Sequence, residues 1–345
     1  MSFQDFKTLH VFNPEHDFAL AIGPGPYTPP REILKIKNLF SLLPATYARN
    51  GDFIVVPEEL NPKEMENLPF FNLLAHKKLV VVKPGELVNL THQIDKVSPW
   101  GWDHAVKNFL LSEGIKENLL PDNHHLNKIR DLSHRRIVIP FRETFSQISG
   151  FPIKFMPQEL SKVEEVEKYL KIHPHAFFKA PWSSSGRGIV VSNHITLKGL
   201  FEWSHGIIRR QGSILAEPAW DKQLDFATEW RIKDGRAQFL GLSVFNASSR
   251  GKYHGNVSLN QPQLVNLIRE KTKQFNPSFI EAQKLVLEKI IAPYYTGPLG
   301  IDMLADSSGE INPCVEINLR MTMGIIELAK TDPDIPETTP DLIFI

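Results

Sequence analysis

The chain has 345 residues and 42% hydrophobic content, enough for one to three domains with sizeable cores. Lys and Arg number 39, as do Asp and Glu, so a net charge of zero gives no electrostatic reason for a nucleic-acid or anionic-membrane partner. One cysteine, Cys314, excludes an intramolecular disulfide and a cysteine zinc cluster, and no apolar run approaches the roughly 20 residues of a membrane helix. The first residues carry no basic segment followed by an apolar run, so they do not read as a signal peptide, and the expectation is a soluble, cytoplasmic protein.

Residues 9–12, 53–57 and 78–82 are short, continuous apolar runs that suit parallel strands buried on both faces. Helices are expected between them over 32–43 and 62–76, which makes a doubly wound α/β unit. Asn13, Glu15, His16 and Asp17 follow the first run, where such sheets bind ligands; they read as substrate contacts or as turn and cap residues. The following Gly23-Pro24-Gly25-Pro26 lacks the third glycine of a dinucleotide fingerprint. Trp100 and Trp102 suit packing or a pocket wall, and Asp103 is placed to cap a helix over 104–112. His124, His125, His173 and His175 lack partners at metal-ligand spacing.

Further on, a helix is expected over 126–132, then an apolar run at 137–140 and a turn into a short strand at 150–153. Ser161 and Glu164 have capping-box spacing ahead of a helix to about residue 172. Two strands, 176–180 and 189–192, flank a loop of small residues, Ser183, Ser184, Ser185, Gly186 and Gly188. Such a loop is either a mobile hairpin tip or a phosphate cradle, with Lys179 reaching an α- or β-phosphate; a strand rather than a helix follows, so it is no Walker loop. The strand 212–218 ends at Glu217-Pro218, where backbone groups could meet an adenine edge. Strands 228–232 and 237–240 flank the turn Lys233 to Arg236 and put Glu229 and Arg231 on one face. The polar stretch 247–256 is a solvated loop or a cover over an acceptor substrate, with Arg250, Lys252, His254 and Asn256 as contacts. Helices are expected over 263–272 and 279–291, and an irregular tail over 331–340.

The most informative stretch is 298–324. Strand-like residues 300–305, the turn Asp306-Ser307-Ser308-Gly309 and a return strand over 314–319 form a hairpin. Alternation puts Asp302 with Gly300 and Leu304, and Glu316 with Asn318 and Arg320, so pairing would bring Asp302 near Glu316. Two carboxylates and an amide suit Mg2+, or else form the polar outer face of an ordinary hairpin.

In order, Lys179 before the Ser/Gly loop, Glu217-Pro218, Glu229-Trp230-Arg231 and the series from Gly300 to Glu327 resemble the ATP-grasp superfamily over residues 120 to 330. That superfamily includes D-alanine–D-alanine ligase, glutathione synthetase, biotin carboxylase and ribosomal-protein glutamate ligases. The resemblance implies a two-subdomain α+β grasp, over 120–212 and 213–345, preceded by a small doubly wound α/β domain over 1–119. It implies that Lys179, the loop Ser183, Ser184, Ser185, Gly186 and Gly188, and the hinge residues Ala216 and Glu217 bind ATP. Asp225 or Asp221 would meet the ribose, and Arg135 or Arg136 would replace an early lysine of the family. Asp302, Glu316 and Asn318 would hold two Mg2+ ions, with Arg231 on the transferring phosphoryl group and Arg320 on phosphate or substrate carboxylate. The implied activity is ATP-dependent carboxylate–amine ligation of small molecules or peptides through an acyl phosphate, with a small-molecule kinase or a non-catalytic nucleotide binder as alternatives and a homodimer allowed. The family's Asn-x-x-Pro-Gly ending is replaced here by 318–324, so the substrate end is expected to differ.

Overall fold

The computed structural model describes residues 6–183, 188–247, 253–272 and 274–331. They fall into two units, one built on residues up to Arg130 and one on residues 131–328. In the first unit, β1 (Thr8–Val11), β2 (Phe53–Val55), β3 (Val80–Val82) and β4 (Lys96–Pro99) form a parallel sheet in the order β3-β2-β1-β4. Alternating residues feed two cores. Phe53 and Val55 join Leu9, Val11 and Val97 on one face, while Ile54 and Val56 join Leu42, Leu74 and Leu79 on the other. This is the doubly wound arrangement that the unbroken apolar runs imply.

Two local expectations change, and one strand was not expected. The helix expected over 62–76 is two helices, Pro62–Met65 and Phe71–His76, because Pro69 disfavours helical backbone before it and Phe70 turns left-handed at φ 71°. The helix expected to reach residue 43 stops at Leu39, and Leu43–Thr46 is a 3-10 turn. The fourth strand, Lys-Val-Ser-Pro, has no apolar run to announce it.

Buried Asp52 ties this sheet together. It accepts from the backbone N–H of Thr8 at 2.8 Å and of Arg49 at 2.8 Å, and contacts His10 Nε2 at 3.0 Å. Burial alone would raise its carboxyl, but these partners outweigh burial and hold it below the ordinary carboxylate range.

The second unit has two antiparallel sheets. The first contains β5 (Gln158–Leu160), β6 (Ala176–Lys179), β7 (Ile189–Val191) and β8 (Ile214–Pro218), in the order β5-β8-β6-β7. Its buried residues, including Phe178, Ile214 and Ala216, pack with Val166, Tyr169 and Leu200 from the helices Val163–Ile172 and Leu197–Gln211. The second contains β9 (Lys222–Lys233), β10 (Arg236–Ala247), β11 (Tyr253–Asn256), β12 (Gly297–Asp306) and β13 (Ile311–Asn318), in the order β11-β10-β9-β12-β13. Asp234 and Gly235, at φ 51° and 73°, make the two-residue turn between β9 and β10. An aromatic cluster of Phe145, Phe151, Phe275 and Phe279 joins the helices Val138–Ser149 and Pro277–Ile290, with Phe145 and Phe279 4.8 Å apart.

Here too the sequence reading needs correction. The run 137–140 belongs to helix, and 150–153 forms no strand. Glu165, not Glu164, receives the N–H groups of Ser161 and Lys162 at the next helix start. Among the described residues no helix is long and apolar enough to cross a membrane. The tail expected beyond residue 331 lies outside the described residues.

Asp52→Asn should lower unfolding free energy by about 1–3 kcal/mol at pH 7 in urea denaturation. The folded carboxyl titrates below its unfolded value, so its contribution is present above the unfolded value and lost as pH falls through the folded one. The wild-type advantage over the variant should therefore shrink on acidification; a constant gap would remove this assignment.

Candidate functional site

The site begins with the register of the last hairpin. Asp302 on β12 lies directly opposite Glu316 on β13, and Gly300 lies opposite Asn318. On the other side of β12, Gly300 faces Glu229 and Pro298 faces Arg231, both on β9. Directly paired residues share a face, so Arg231, Glu229, Asp302, Glu316 and Asn318 project from one surface. Asn318 Nδ2 donates to Asp302 Oδ2 at 3.1 Å, and Arg320 Nη2 donates to Asn318 Oδ1 at 3.1 Å.

Burial, then the charges of Glu316 and Glu229, push the Asp302 carboxyl up to about 8. That unfavourable crowding of carboxylates is what a bound cation would relieve. Asp302 Oδ1 and Glu316 Oε2 accept no hydrogen bond from the described residues, so both facing carboxylates retain an oxygen for a ligand. Among the described residues no group of three or more His, Cys, Asp or Glu side chains is arranged for a metal. A cation here would therefore rest on two carboxylates and the Asn318 amide, a sparse oxygen set that fits Mg2+ with most of its shell supplied by water and phosphate.

Two arginines connect this face to the first sheet of the unit. Buried Arg135 donates through Nη1 to Ala180 O at 2.7 Å and Ser183 Oγ at 2.6 Å, and through Nη2 to Ser183 O at 3.1 Å and Glu316 Oε1 at 2.8 Å. It thus fixes the entry of the Ser/Gly loop relative to Glu316. Arg136 instead reaches the partly exposed Glu159 at 3.4 Å. Arg142, fully buried, donates to Cys314 O at 2.9 Å, Phe155 O at 3.0 Å and Glu217 Oε2 at 3.0 Å.

The other oxygen of Glu217 receives Lys179 Nζ. Burial would raise the Glu217 carboxyl, but Lys179 and Arg142 hold it down at about 2. Its carboxylate is fully committed to these cations, so only its backbone can serve as a hinge contact. Ala216 pairs with Gln158 on one side and Phe178 on the other, whereas Glu217 lies beyond the end of β5. A free backbone edge therefore starts at Glu217. Just past it, Trp220 meets Phe155 edge-to-face at 5.4 Å, an apolar wall that sequence reasoning missed.

Ser183 and Gly188 close the ends of the loop. Ala180 N–H donates to Gly188 O at 2.7 Å, and a Cβ on Gly188 would lie 2.2 Å from Ser183 Oγ. Ser184, Ser185 and Gly186 lie outside the described residues, as do Arg250 and Lys252. His254 and Asn256 belong to edge strand β11 rather than a loop; His254 is exposed, and Asn256 Nδ2 donates to Met323 O at 2.7 Å. Asp225 accepts from Lys222 at 2.5 Å and, mainly through burial, titrates above the usual carboxylate range. Asp221 is exposed and bonded to Ser307.

Glu229 is the residue whose setting the sequence did not disclose. It accepts from Ser243 Oγ at 2.8 Å and Thr322 Oγ1 at 2.7 Å. Burial raises it to about 7 against those two hydrogen bonds and the charge of Arg320. A Cβ on Gly324 would lie 1.8 Å from Glu229 Oε1, and one on Gly300 2.8 Å from Oε2. Two absent side chains make the space for one carboxylate. The alternation of Glu229 with Arg231 was the available signal.

Comparison with solved structures identifies the architecture. N5-carboxyaminoimidazole synthetase from Staphylococcus aureus, complexed with ADP, superposes with a TM-score of 0.54 at 12% identity, over 97% of this chain and 78% of that one. The biotin carboxylase domain of Hydrogenobacter thermophilus 2-oxoglutarate carboxylase, in complex with MgADP, ADP and bicarbonate, gives 0.55 at 15% identity, over 98% and 71%. Biotin carboxylase from Campylobacter jejuni, in a β-γ-ATP complex, gives 0.54 at 14% identity, over 97% and 72%. The chain has the ATP-grasp fold. No protein-family model matches the sequence, and no curated protein matches it.

Arg142→Met removes a cation from buried Glu217 and strands Cys314 O; it should cost about 3 kcal/mol or more of stability in urea denaturation. Because the folded Glu217 carboxyl is held at about 2, its contribution is present above the unfolded carboxylate value and lost as pH falls toward about 2. In the variant that loss should begin at a higher pH.

Proposed function

We propose that this ATP-grasp chain is an ATP-dependent carboxylate–amine ligase that works through an acyl phosphate. The observation that carries the reading is the Asp302–Glu316 pair, opposite one another in register, with Asn318 and Arg320 alongside and Arg135 linking Glu316 to the Ser/Gly loop. Enzymes of the same fold with bound ADP or ATP add support. In this reading the first unit corresponds to the small domain that precedes the grasp, and the two sheets of the second unit are the grasp's subdomains.

A carboxylate is a poor electrophile because its leaving group would be oxide. Taking the γ-phosphoryl group of ATP turns that oxygen into part of a phosphate leaving group; attack by an amine then gives an amide, ADP and phosphate. Such transfer needs positioning and charge neutralisation more than a protein nucleophile. Lys179, held in place by Glu217, faces the α- and β-phosphates, with Ser183 and Gly188 at the ends of the loop beside them. The adenine lies along the free backbone edge from Glu217 toward Trp220. Asp302, Glu316 and Asn318 would hold Mg2+, which supplies charge neutralisation to the triphosphate when bound. Arg231 and Arg320 neutralise the transferring group and the carboxylate, since a planar guanidinium grips either in a fork. Soluble small-molecule or peptide acids and amines, with a cytoplasmic setting, fit this chemistry.

Arg231→Ala should reduce turnover by roughly 10³ or more while thermal unfolding stays cooperative; wild-type turnover would remove Arg231 from the clamp. Glu316→Gln should abolish Mg2+-dependent ADP release, measured by a coupled assay over a panel of amino acids and small peptides. Free phosphate appearing only with acid and amine together marks a ligase. Phosphate retained on one product marks a kinase and overturns the proposal.

A further inference from the structure

The side chains assigned above to a cation hold one another in a defined hydrogen-bond pattern. Three of their oxygens are taken: Asp302 Oδ2 accepts from Asn318 Nδ2 at 3.1 Å, Asn318 Oδ1 accepts from Arg320 Nη2 at 3.1 Å, and Glu316 Oε1 accepts from Arg135 Nη2 at 2.8 Å. Asp302, Glu316, Asn318 and Arg320 are all partly exposed, so the cluster borders solvent rather than closed core. The two arginines differ in their freedom. Arg135 is buried and pinned by Ala180 O and Ser183 as well as by Glu316. Arg320 is half-buried on the stretch just past β13, and it spans from Met321 O, 3.0 Å from Nη1, to the Asn318 amide.

The amide decides what this pattern does. Asn318 turns its oxygen to Arg320 and its NH2 to Asp302. An amide NH2 donates hydrogen bonds and has no lone pair to offer a cation, whereas the amide oxygen does. Asn318 can therefore join a cation site only when Arg320 lets go of that oxygen. The charge of Arg320, one hydrogen bond away from the amide, also opposes the approach of a divalent ion. Releasing the guanidinium is favourable when another acceptor takes it, and its planar fork matches the paired oxygens of a phosphate or a carboxylate. An anion shifts an equilibrium only through a difference in its contacts with the two arrangements. Here the difference is explicit: an anion on Arg320 removes the donor that occupies Asn318 Oδ1.

Resting on the cation site proposed above, we propose that Arg320 is a gate on that site: it keeps the Asn318 oxygen from a divalent ion until a phosphate or carboxylate group draws the guanidinium away. Anion and divalent ion then raise each other's affinity, because coupling between two ligands is reciprocal. Arg320 acts here through Asn318, as a positioning residue.

The test measures Mn2+ binding to the full-length protein by electron paramagnetic resonance of the free ion, with no turnover involved. Without nucleotide, Arg320→Met should bind Mn2+ at least about ten-fold more tightly than the wild type, with unfolding temperatures showing that the variant is folded. Inorganic phosphate or acetate should tighten Mn2+ binding in the wild type and leave Arg320→Met unchanged; which of the two does so identifies the anion. A double-mutant cycle separates the hydrogen bond from bare charge: in an Asn318→Ala background the gain from Arg320→Met should largely vanish. An equal gain in that background means that the arginine acts by charge alone and overturns the proposal. Equal Mn2+ affinity in wild type and folded Arg320→Met overturns it as well, and if ADP still recruits Mn2+ to the wild type, the cation site stands without the gate. Failure of ADP to recruit Mn2+ to any of these proteins overturns the cation site and the gate together.

Discussion

Two arginines seven residues apart organise the second unit. Arg135 and Arg142 both lie on the helical stretch that begins at 135, and each joins the sheet containing β6 and β8 to strand β13. A guanidinium can do this because its donors are fixed in a planar fork and it keeps its charge at any physiological pH. Each spans a carbonyl and a carboxylate on different elements, so neither sheet can slide without breaking several charge-assisted hydrogen bonds at once. The cost of burying Arg142 is met by Glu217, and Glu217 in turn holds Lys179. Structural support and the cation at the phosphate position are therefore one network.

That network explains why site and fold are hard to separate here. Ser183 is both a loop residue and an Arg135 acceptor; Glu316 is both a facing carboxylate and an Arg135 partner. In the active arrangement proposed above, displacement of the loop would be felt at Glu316 through one side chain. In the first unit the same economy appears in Asp103, which caps a helix with one oxygen and orients His16 and Asn13 with the other.

Much of this was legible in the chain because local chemistry and long-range structure agree. The hairpin 298–324 could be read with its facing residues, since alternation plus a Ser-Ser-Gly turn leaves few registers, and Asp302 does oppose Glu316. The doubly wound sheet followed from three unbroken apolar runs. Other features were hidden for equally physical reasons. Four apolar residues at 137–140 are too few to tell strand from helix, and tertiary packing of the longer segment decided for helix. Strand β4 carries Lys, Ser and Pro among its four residues, and its pairing with β1 sustains it. The commitment of Glu217 to Lys179 and Arg142 depends on partners 38 and 75 residues away, which spacing alone does not reveal.

The space around Glu229 has an evolutionary corollary. Positions 229 and 324 draw on a single small volume: the acid at one fits because the other is bare. Any relative that keeps this backbone but acquires a side chain at 324 must shorten or redirect residue 229 in the same step, and an acid carried on that new side chain would approach the same surface from the helix Met323–Thr331. The two sites should therefore drift as a coupled pair, giving the lineage a way to relocate a carboxylate without changing how many it has.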